Sequence, residues 1–85
     1  MNALKNAEEL GCMIVDIVME LFPDRDAVVL SARSRIRDDA FIDSLTFFAV
    51  LLKICEHLGV EAEALDHDRV GRALTVEDLY LALTA

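Results

Sequence analysis

The feature that most constrains the fold is a long apolar segment, residues 44 to 58, bounded by a helix-start signal and a helix-stop signal. Asp43 stands where a short side-chain oxygen can satisfy the first backbone amides of a helix. Gly59 stands where helices commonly end in the left-handed conformation. With 85 residues the chain can form one modest core. We therefore expect residues 44 to 58 to be a long helix of a single domain that spans residues 1 to 85.

The apolar positions of this segment predict which side of the helix meets the core. The residues expected to face inward are Leu45, Phe48, Leu51, Ile54, Cys55 and Leu58. The residues expected to face water are Thr46, Ala49, Lys53 and Glu56. Two large apolar residues, Phe47 and Leu52, then fall just off the inward positions, so we expect both to be exposed.

Two further segments are predicted to be helical. The first runs over residues 3 to 22 and ends there because Pro23 restricts the residue before it and cannot continue the helix. The last opens at Thr75, which forms a capping box with Asp78 three residues on. The residues expected to face the core are Leu10, Ile14, Ile17, Val18 and Leu21 in the first helix and Val76, Leu79 and Leu83 in the last.

The intervening segments are expected to be less regular. Residues 23 to 43 show no long periodic pattern, and we expect a loop pinned to the core by Val28, Leu30 and Ile36. The arginines of this loop are expected to be solvated and to balance nearby acids; they are Arg33, Arg35 and Arg37. Residues 60 to 74 are expected to contain one short helix at about residues 68 to 72. The sequence thus predicts an all-α fold, a small antiparallel bundle of three main helices plus one short helix, with a long first loop.

Charge and hydropathy exclude several classes of partner. Sixteen acidic residues against eight basic ones give a net charge of −8, which repels nucleic acid and anionic lipid. The apolar runs are shorter than a membrane span, and Glu8 and Glu9 interrupt the stretch where a signal peptide would be apolar. We expect a cytoplasmic protein that binds neither nucleic acid nor membrane, with Cys12 and Cys55 as reduced thiols in its core.

Ser44 stands at the start of the long apolar segment, and three roles fit a hydroxyl there. With Asp43 as the cap and Ser44 as the first helical residue, helix capping explains both side chains without any chemistry. Nucleophilic catalysis would need an adjacent base and an oxyanion hole, and the two histidines, His57 and His67, are not placed by the sequence to serve Ser44. The third role is the attachment of a group to the hydroxyl. We expect no active site in this chain, and we expect residues 66 to 68 to be a solvated turn rather than a metal site.

The arrangement as a whole resembles the acyl carrier proteins over nearly the whole chain. The most specific residues are Asp43, Ser44 and Leu45, which open the second long helix. The resemblance also includes the apolar positions behind this motif, Phe48, Leu51 and Leu58, and Thr75 with Val76 at the start of the final helix. The resemblance implies that a phosphopantetheinyl transferase attaches 4′-phosphopantetheine to Ser44, with Asp43 and Leu45 as the flanks of the motif. The thiol of that arm would carry acyl or aminoacyl groups as thioesters between enzymes.

The chain departs from the family at two places that concern partners. The family usually has a Leu-Gly pair where this chain has Ala40 and Phe41. The family's second helix is typically rich in acids, whereas residues 44 to 58 hold one acid and offer Phe47 and Leu52 instead. We therefore expect a free-standing carrier for one biosynthetic pathway. Its loading and downstream enzymes would dock on Phe47 and Leu52 through apolar contact.

An unmodified helical module for protein–protein interaction is the alternative function. Its support is apolar surface beyond what one core contact requires, at Cys12, Val15, Met19, Phe47 and Leu52. Such faces would suit pairing with another protein or with a second copy as a homodimer. Intact mass after exposure to a phosphopantetheinyl transferase separates this module from the carrier.

Overall fold

The computed structural model describes residues 4 to 26 and 28 to 84, and the fold is all-α. The helices are α1 (Ala7–Leu21), α2 (Ile36–Ala40), α3 (Ser44–Leu58), α4 (His67–Arg72) and α5 (Val76–Thr84), with a 3₁₀ turn at Ala62–Ala64. The three longest are α1, α3 and α5, and α1 packs against both of the others. The predicted bundle of three main helices is confirmed, and α4 is the short helix predicted near residues 68 to 72.

The start of α1 is set by a cap that was not predicted, although Asn6 is a preferred N-cap residue and Glu9 follows it three residues on. The Asn6 side chain accepts a hydrogen bond from the Glu9 amide over 3.0 Å, so the helix begins at the next residue. The predicted start at residue 3 lies outside the described residues, and the prediction of helix over residues 4 to 6 is wrong, because these residues precede the first helical residue. The helix ends at Leu21, shortly before Pro23, as expected. The predicted core residues Leu10, Ile14, Ile17 and Val18 are buried, and Leu21 packs at their edge.

The connection between α1 and α3 is anchored where the sequence predicted. Leu30 and Ile36 are buried, and Val28 packs partly against the core. Gly11 permits the close approach of this connection to α1, because a Cβ there would lie 2.7 Å from the Leu30 carbonyl oxygen. The expectation of an irregular loop throughout residues 23 to 43 is wrong for α2. Its five residues are too few to show a helical period in the sequence.

Backbone hydrogen bonds join the start of α2 to the start of α5. The Ile36 amide donates to the Leu74 carbonyl, and the Val76 amide donates to the Ser34 carbonyl, each over 3.0 Å. These bonds join two segments that are far apart in sequence. They fix the segment that leads into α2 against the start of α5.

The buried side of α3 differs from the predicted one. Its buried residues are Phe47, Val50, Leu51, Ile54 and Cys55. Phe47 is 5% exposed, whereas Phe48 is 49% and Leu45 79% exposed. The predictions that Leu45 and Phe48 face the core and that Phe47 is exposed are therefore wrong. Both sides of α3 carry apolar residues at intervals of three and four, so periodicity alone could not choose the side that packs.

The two cysteines have different environments. Cys55 is buried as predicted, and desolvation by burial raises the pKa of its thiol. Cys12 is exposed, so its predicted place in the core is wrong. Since the buried stripe of α1 runs through Leu10 and Ile14, the residue between them at position 12 points away from that stripe.

Candidate functional site

The candidate site begins at the first turn of α3, where an acid and a hydroxyl stand side by side. Asp43 is the N-cap, and its carboxylate accepts a hydrogen bond from the Thr46 amide over 2.8 Å. This hydrogen bond lowers the pKa of Asp43 because it favours the charged form. Ser44 is the first helical residue, and it is exposed. Because Asp43 caps the helix, capping does not use the Ser44 hydroxyl.

The start of α5 shows how a hydroxyl is used when it belongs to a cap. The Thr75 hydroxyl accepts a hydrogen bond from the Asp78 amide over 3.1 Å, and the Asp78 carboxylate accepts one from the Thr75 amide over 3.2 Å. The predicted capping box is thus confirmed. At α3, by contrast, none of residues 4 to 26 and 28 to 84 forms a hydrogen bond with the Ser44 hydroxyl. That hydroxyl is open to a reagent brought by another protein.

The exposed side of α3 that begins at Ser44 is apolar. Phe48 and Leu52 follow Ser44 at intervals of four residues, so all three lie on one side of the helix. Leu52 is 43% exposed, which confirms the prediction that it lies at the surface. The exposed phenylalanine of this helix is Phe48, whereas the sequence predicted Phe47 to be exposed. We define the Ser44 face as the set that follows: Ser44 itself, Leu45, Phe48, Leu52 and, from the turn before the helix, Phe41.

Phe41 has the most unusual backbone in the described part of the chain. Its φ of 56° and ψ of 49° lie in the left-handed region, and its side chain is 76% exposed. A residue with a Cβ pays roughly 1–2 kcal/mol for this conformation, which is why glycine usually takes it. Exposure of the ring means that burial does not offset that cost. A large aromatic side chain thus stands at a strained position three residues before Ser44.

Two arginines, Arg25 of the first loop and Arg37 of α2, hold the segment that leads to Ser44. The Arg37 guanidinium lies over the Phe47 ring, 4.6 Å from its centroid, and covers the inner side of the first turn of α3. Arg25 donates a hydrogen bond to the Ala40 carbonyl oxygen, next to Phe41. The expectation of a fully solvated arginine group is therefore wrong for Arg37. It holds for the other two arginines of that group, which are exposed.

The other clusters of polar side chains have structural explanations. Asp66 is the N-cap of α4, and its carboxylate accepts a hydrogen bond from the Arg69 amide over 3.1 Å. Its neighbours His67 and Asp68 are exposed, but they form the first turn of α4, so the expectation of a turn at residues 66 to 68 is wrong. Within the described residues, no group of histidine, cysteine and acidic side chains could hold a metal ion.

An open groove of about 830 Å³ runs along α1. Met13 and Ile17 contribute apolar surface to it, while Glu8 and Asp16 are among its acidic lining residues. No residue of the Ser44 face lines this groove. It is therefore separate from the candidate site.

No helix in the described part of the chain is both long enough and apolar enough to cross a membrane. Comparison of the chain with protein-family models, with curated proteins and with solved structures found no match. The case for a function accordingly rests on the residues around Ser44.

Proposed function

We propose that this protein is a carrier protein on which Ser44 bears a covalent 4′-phosphopantetheine arm. The observation that carries the proposal is that two adjacent residues at the start of α3 have different roles. Asp43 caps the helix, and the neighbouring Ser44 hydroxyl is exposed and unused by the cap. A hydroxyl held on a regular helix end is an acceptor that a transferase can reach without unfolding anything.

The helix end also suits the group that would be attached. The N-terminus of a helix carries a partial positive charge, which favours a phosphodiester nearby. The first turn of α3 contains no acidic residue that would oppose it. The nearest acid is the N-cap Asp43, whose carboxylate remains charged while it accepts a hydrogen bond from the Thr46 amide.

The attachment needs little chemistry from this chain. The Ser44 oxygen would attack the phosphorus of coenzyme A that bears the pantetheine, forming a new oxygen–phosphorus bond. The bond from that phosphorus to 3′,5′-ADP would break, and the transferase would take the serine proton. The free thiol of the arm would then form thioesters with acyl or aminoacyl groups. Ser44 therefore requires exposure and a fixed position, and it requires no catalytic base of its own.

The resemblance to acyl carrier proteins adds support at the turn before Ser44. Phe41 stands where that family usually has glycine, and its backbone adopts the left-handed conformation that favours glycine. The backbone of this turn is therefore compatible with the family pattern although the side chain departs from it. The partners would be a phosphopantetheinyl transferase and the enzymes that load and use the arm in one biosynthetic pathway.

The proposal is tested by incubating the purified chain with coenzyme A and a phosphopantetheinyl transferase and measuring its intact mass. We expect a gain of one phosphopantetheine group on the unmodified chain and no gain on Ser44→Ala. Ser34→Ala is the matched control and should be modified normally. Absence of a gain on the wild-type chain with several transferases, while a known carrier is modified alongside, would contradict the proposal.

The second candidate function is an unmodified helical interaction module, and one observation favours it. Phe41, Leu45, Phe48 and Leu52 form exposed apolar surface that the fold does not use. The module needs this surface and makes no use of the Ser44 hydroxyl. A chain that is never modified but loses a binding partner on Phe48→Asp would support the module over the carrier.

A further inference from the structure

We propose that Arg25 is a positioning residue for Ser44: its guanidinium holds the left-handed turn at Phe41, and that turn fixes where the Ser44 hydroxyl stands. This inference rests on the proposed carrier function and names a residue far from the acceptor in sequence. It starts from the hydrogen bond that Arg25 donates to the Ala40 carbonyl oxygen, directly before Phe41. That bond joins the end of α1 to the turn before α3.

The backbone of Arg25 is fixed to the end of α1. Pro23 favours a tight turn just after the helix, and the Arg25 amide closes that turn by donating to the Phe22 carbonyl oxygen over 3.2 Å. The Arg25 guanidinium also lies 5.9 Å from the centroid of the Phe22 ring, within the range of a cation–π contact. The Arg25 side chain is half-buried, so it reaches toward α2 from a fixed point with little freedom.

The acceptor of the Arg25 hydrogen bond belongs to a buried residue. Ala40 is the last residue of α2, and the last carbonyl groups of a helix find no donor within it. Ala40 is 0% exposed, so water does not reach it. Without the guanidinium, its carbonyl would lose its partner or rotate toward water. Rotation of that peptide changes φ of Phe41.

The turn at Phe41 depends on such contacts because it is strained. Its φ of 56° lies in the left-handed region, which bulky residues rarely adopt. Strained conformations persist where the surrounding structure fixes them. The Phe41 and Ile42 amides donate to the Arg37 carbonyl oxygen, within the same helix end. Arg25 holds the turn from another part of the chain, and it acts on the peptide next to the strained angle.

The turn affects Ser44 because Ser44 is the first residue of α3. The first amides of a helix have no partner within it, so the position of Ser44 depends on the residues before it as well as on the helix. The buried Ile42 and the cap Asp43 are the residues between Phe41 and Ser44. A turn that relaxes would therefore move the hydroxyl away from the phosphorus it attacks. A displacement of about 1 Å can slow a reaction roughly a hundredfold.

The test measures arm transfer from coenzyme A by a phosphopantetheinyl transferase, followed by intact mass, for Arg25→Met in two backgrounds. In the wild-type background, loss of the guanidinium should lower kcat/KM at least about tenfold. In the Phe41→Gly background, glycine adopts the left-handed conformation without strain. Arg25→Met should there lower kcat/KM less than about twofold. All four chains are compared at a temperature at which circular dichroism shows each of them folded, so that a loss of global stability does not enter the rates.

Arg33→Met is the matched control, because it removes an exposed arginine of the same loop, and it should have no effect. Arg25→Lys keeps the charge and a donor, and it should give a smaller loss in the same direction if Arg25→Met does not fold. Equal kcat/KM for Arg25→Met and wild type would overturn the positioning role and leave the carrier function standing. The same loss in both backgrounds would mean that the guanidinium contacts the transferase or coenzyme A directly, which would also overturn it. No modification of the wild-type chain would contradict both proposals.

Discussion

α3 carries apolar side chains on two sides, and the core uses one of them. On the inner side Phe47 and Ile54 are at most 5% exposed, while on the outer side Phe48 and Leu52 are more than two-fifths exposed. Burying a side chain of this size contributes roughly 1.5–3 kcal/mol to folding, so the inner side accounts for the place of α3 in the bundle. The outer side gains little from folding. Polar residues there would serve the fold equally well, so the apolar side chains remain available for the proposed contact with another protein.

The same contrast holds between the neighbours at the start of the helix. Asp43 makes the hydrogen bond that fixes the helix start, and Ser44 contributes a hydroxyl that the fold leaves exposed. In the pairs Asp43–Ser44 and Phe47–Phe48, the first residue of each pair is needed for structure. The other residue in each pair, Ser44 and Phe48, is available for function. Substitutions at these positions should therefore separate stability from activity.

The largest expected effect on stability belongs to the buried phenylalanine. Phe47→Ala should lower the free energy of unfolding by about 3–5 kcal/mol, because it leaves a cavity beneath the Arg37 guanidinium. Phe48→Ala is the matched control and should stay within about 0.5 kcal/mol of wild type. Urea unfolding followed by circular dichroism measures both. If Phe47→Ala proves too unstable, Phe47→Leu gives a smaller loss in the same direction. Equal losses of unfolding free energy for Phe47→Ala and Phe48→Ala would contradict the distinction between the inner and outer sides of α3.

Loss of the cap at α3 should have the next largest effect. Asp43→Ala removes the acceptor of the Thr46 amide, and we expect the melting temperature to fall by about 4–8 °C. Asp43→Asn retains a capping oxygen, so its melting temperature should fall much less. Ser44→Ala should leave the melting temperature nearly unchanged. A fall for Ser44→Ala as large as that for Asp43→Ala would show that the hydroxyl is structural after all.

Acid should weaken the cap in a way that can be measured. Hydrogen bonds from the Thr46 amide lower the pKa of Asp43 below its ordinary value of 3.8, and those from the Thr75 and Leu74 amides lower that of Asp78. A carboxylate with a lowered pKa stabilises the fold fully above its unfolded pKa, and this contribution is lost as pH falls through the folded pKa. The melting-temperature advantage of wild type over Asp43→Asn should therefore shrink in acid. An advantage that grows in acid would contradict the assigned hydrogen bond.

The smallest expected effect is that of salt on arm transfer. Screening weakens interactions between charges and leaves apolar burial largely untouched, and residues 44 to 52 carry no charge. We expect kcat/KM for the transferase to change less than about twofold between low and moderate salt. A steep fall with added salt would mean that the acidic surface elsewhere directs docking, and the apolar outer side of α3 would lose its assigned role.

Local signals predicted both ends of α3 and the start of α5 because each depends on a few adjacent residues. Asp43 and Gly59 bound α3, and Thr75 with Asp78 caps α5, as the sequence indicated. The choice of buried side on α3 depends instead on what packs against it. A helix with apolar residues on both sides leaves that choice to tertiary contacts. The exposure of Phe47 was predicted wrongly for this reason.

The left-handed backbone of the turn before α3 was not predicted from the sequence, for a different reason. Phe41 gives no local signal for a left-handed conformation, since that conformation is normally read from glycine or asparagine. Its geometry comes from hydrogen bonds to the Arg37 carbonyl oxygen and from the buried side chain of Ile42. The exposure of Leu52 was predicted correctly, whereas Phe48, one turn earlier on the same side, was expected to be buried.

The measurement that tests the central claim most directly is fragmentation mass spectrometry of the wild-type chain after incubation with coenzyme A and a phosphopantetheinyl transferase. The chain contains three serines, Ser31, Ser34 and Ser44, so the acceptor can be assigned without ambiguity. The account predicts one phosphopantetheine group, entirely on the fragment containing Ser44. A group on Ser31 or Ser34, or a chain left unmodified beside a carrier that is modified, would contradict it.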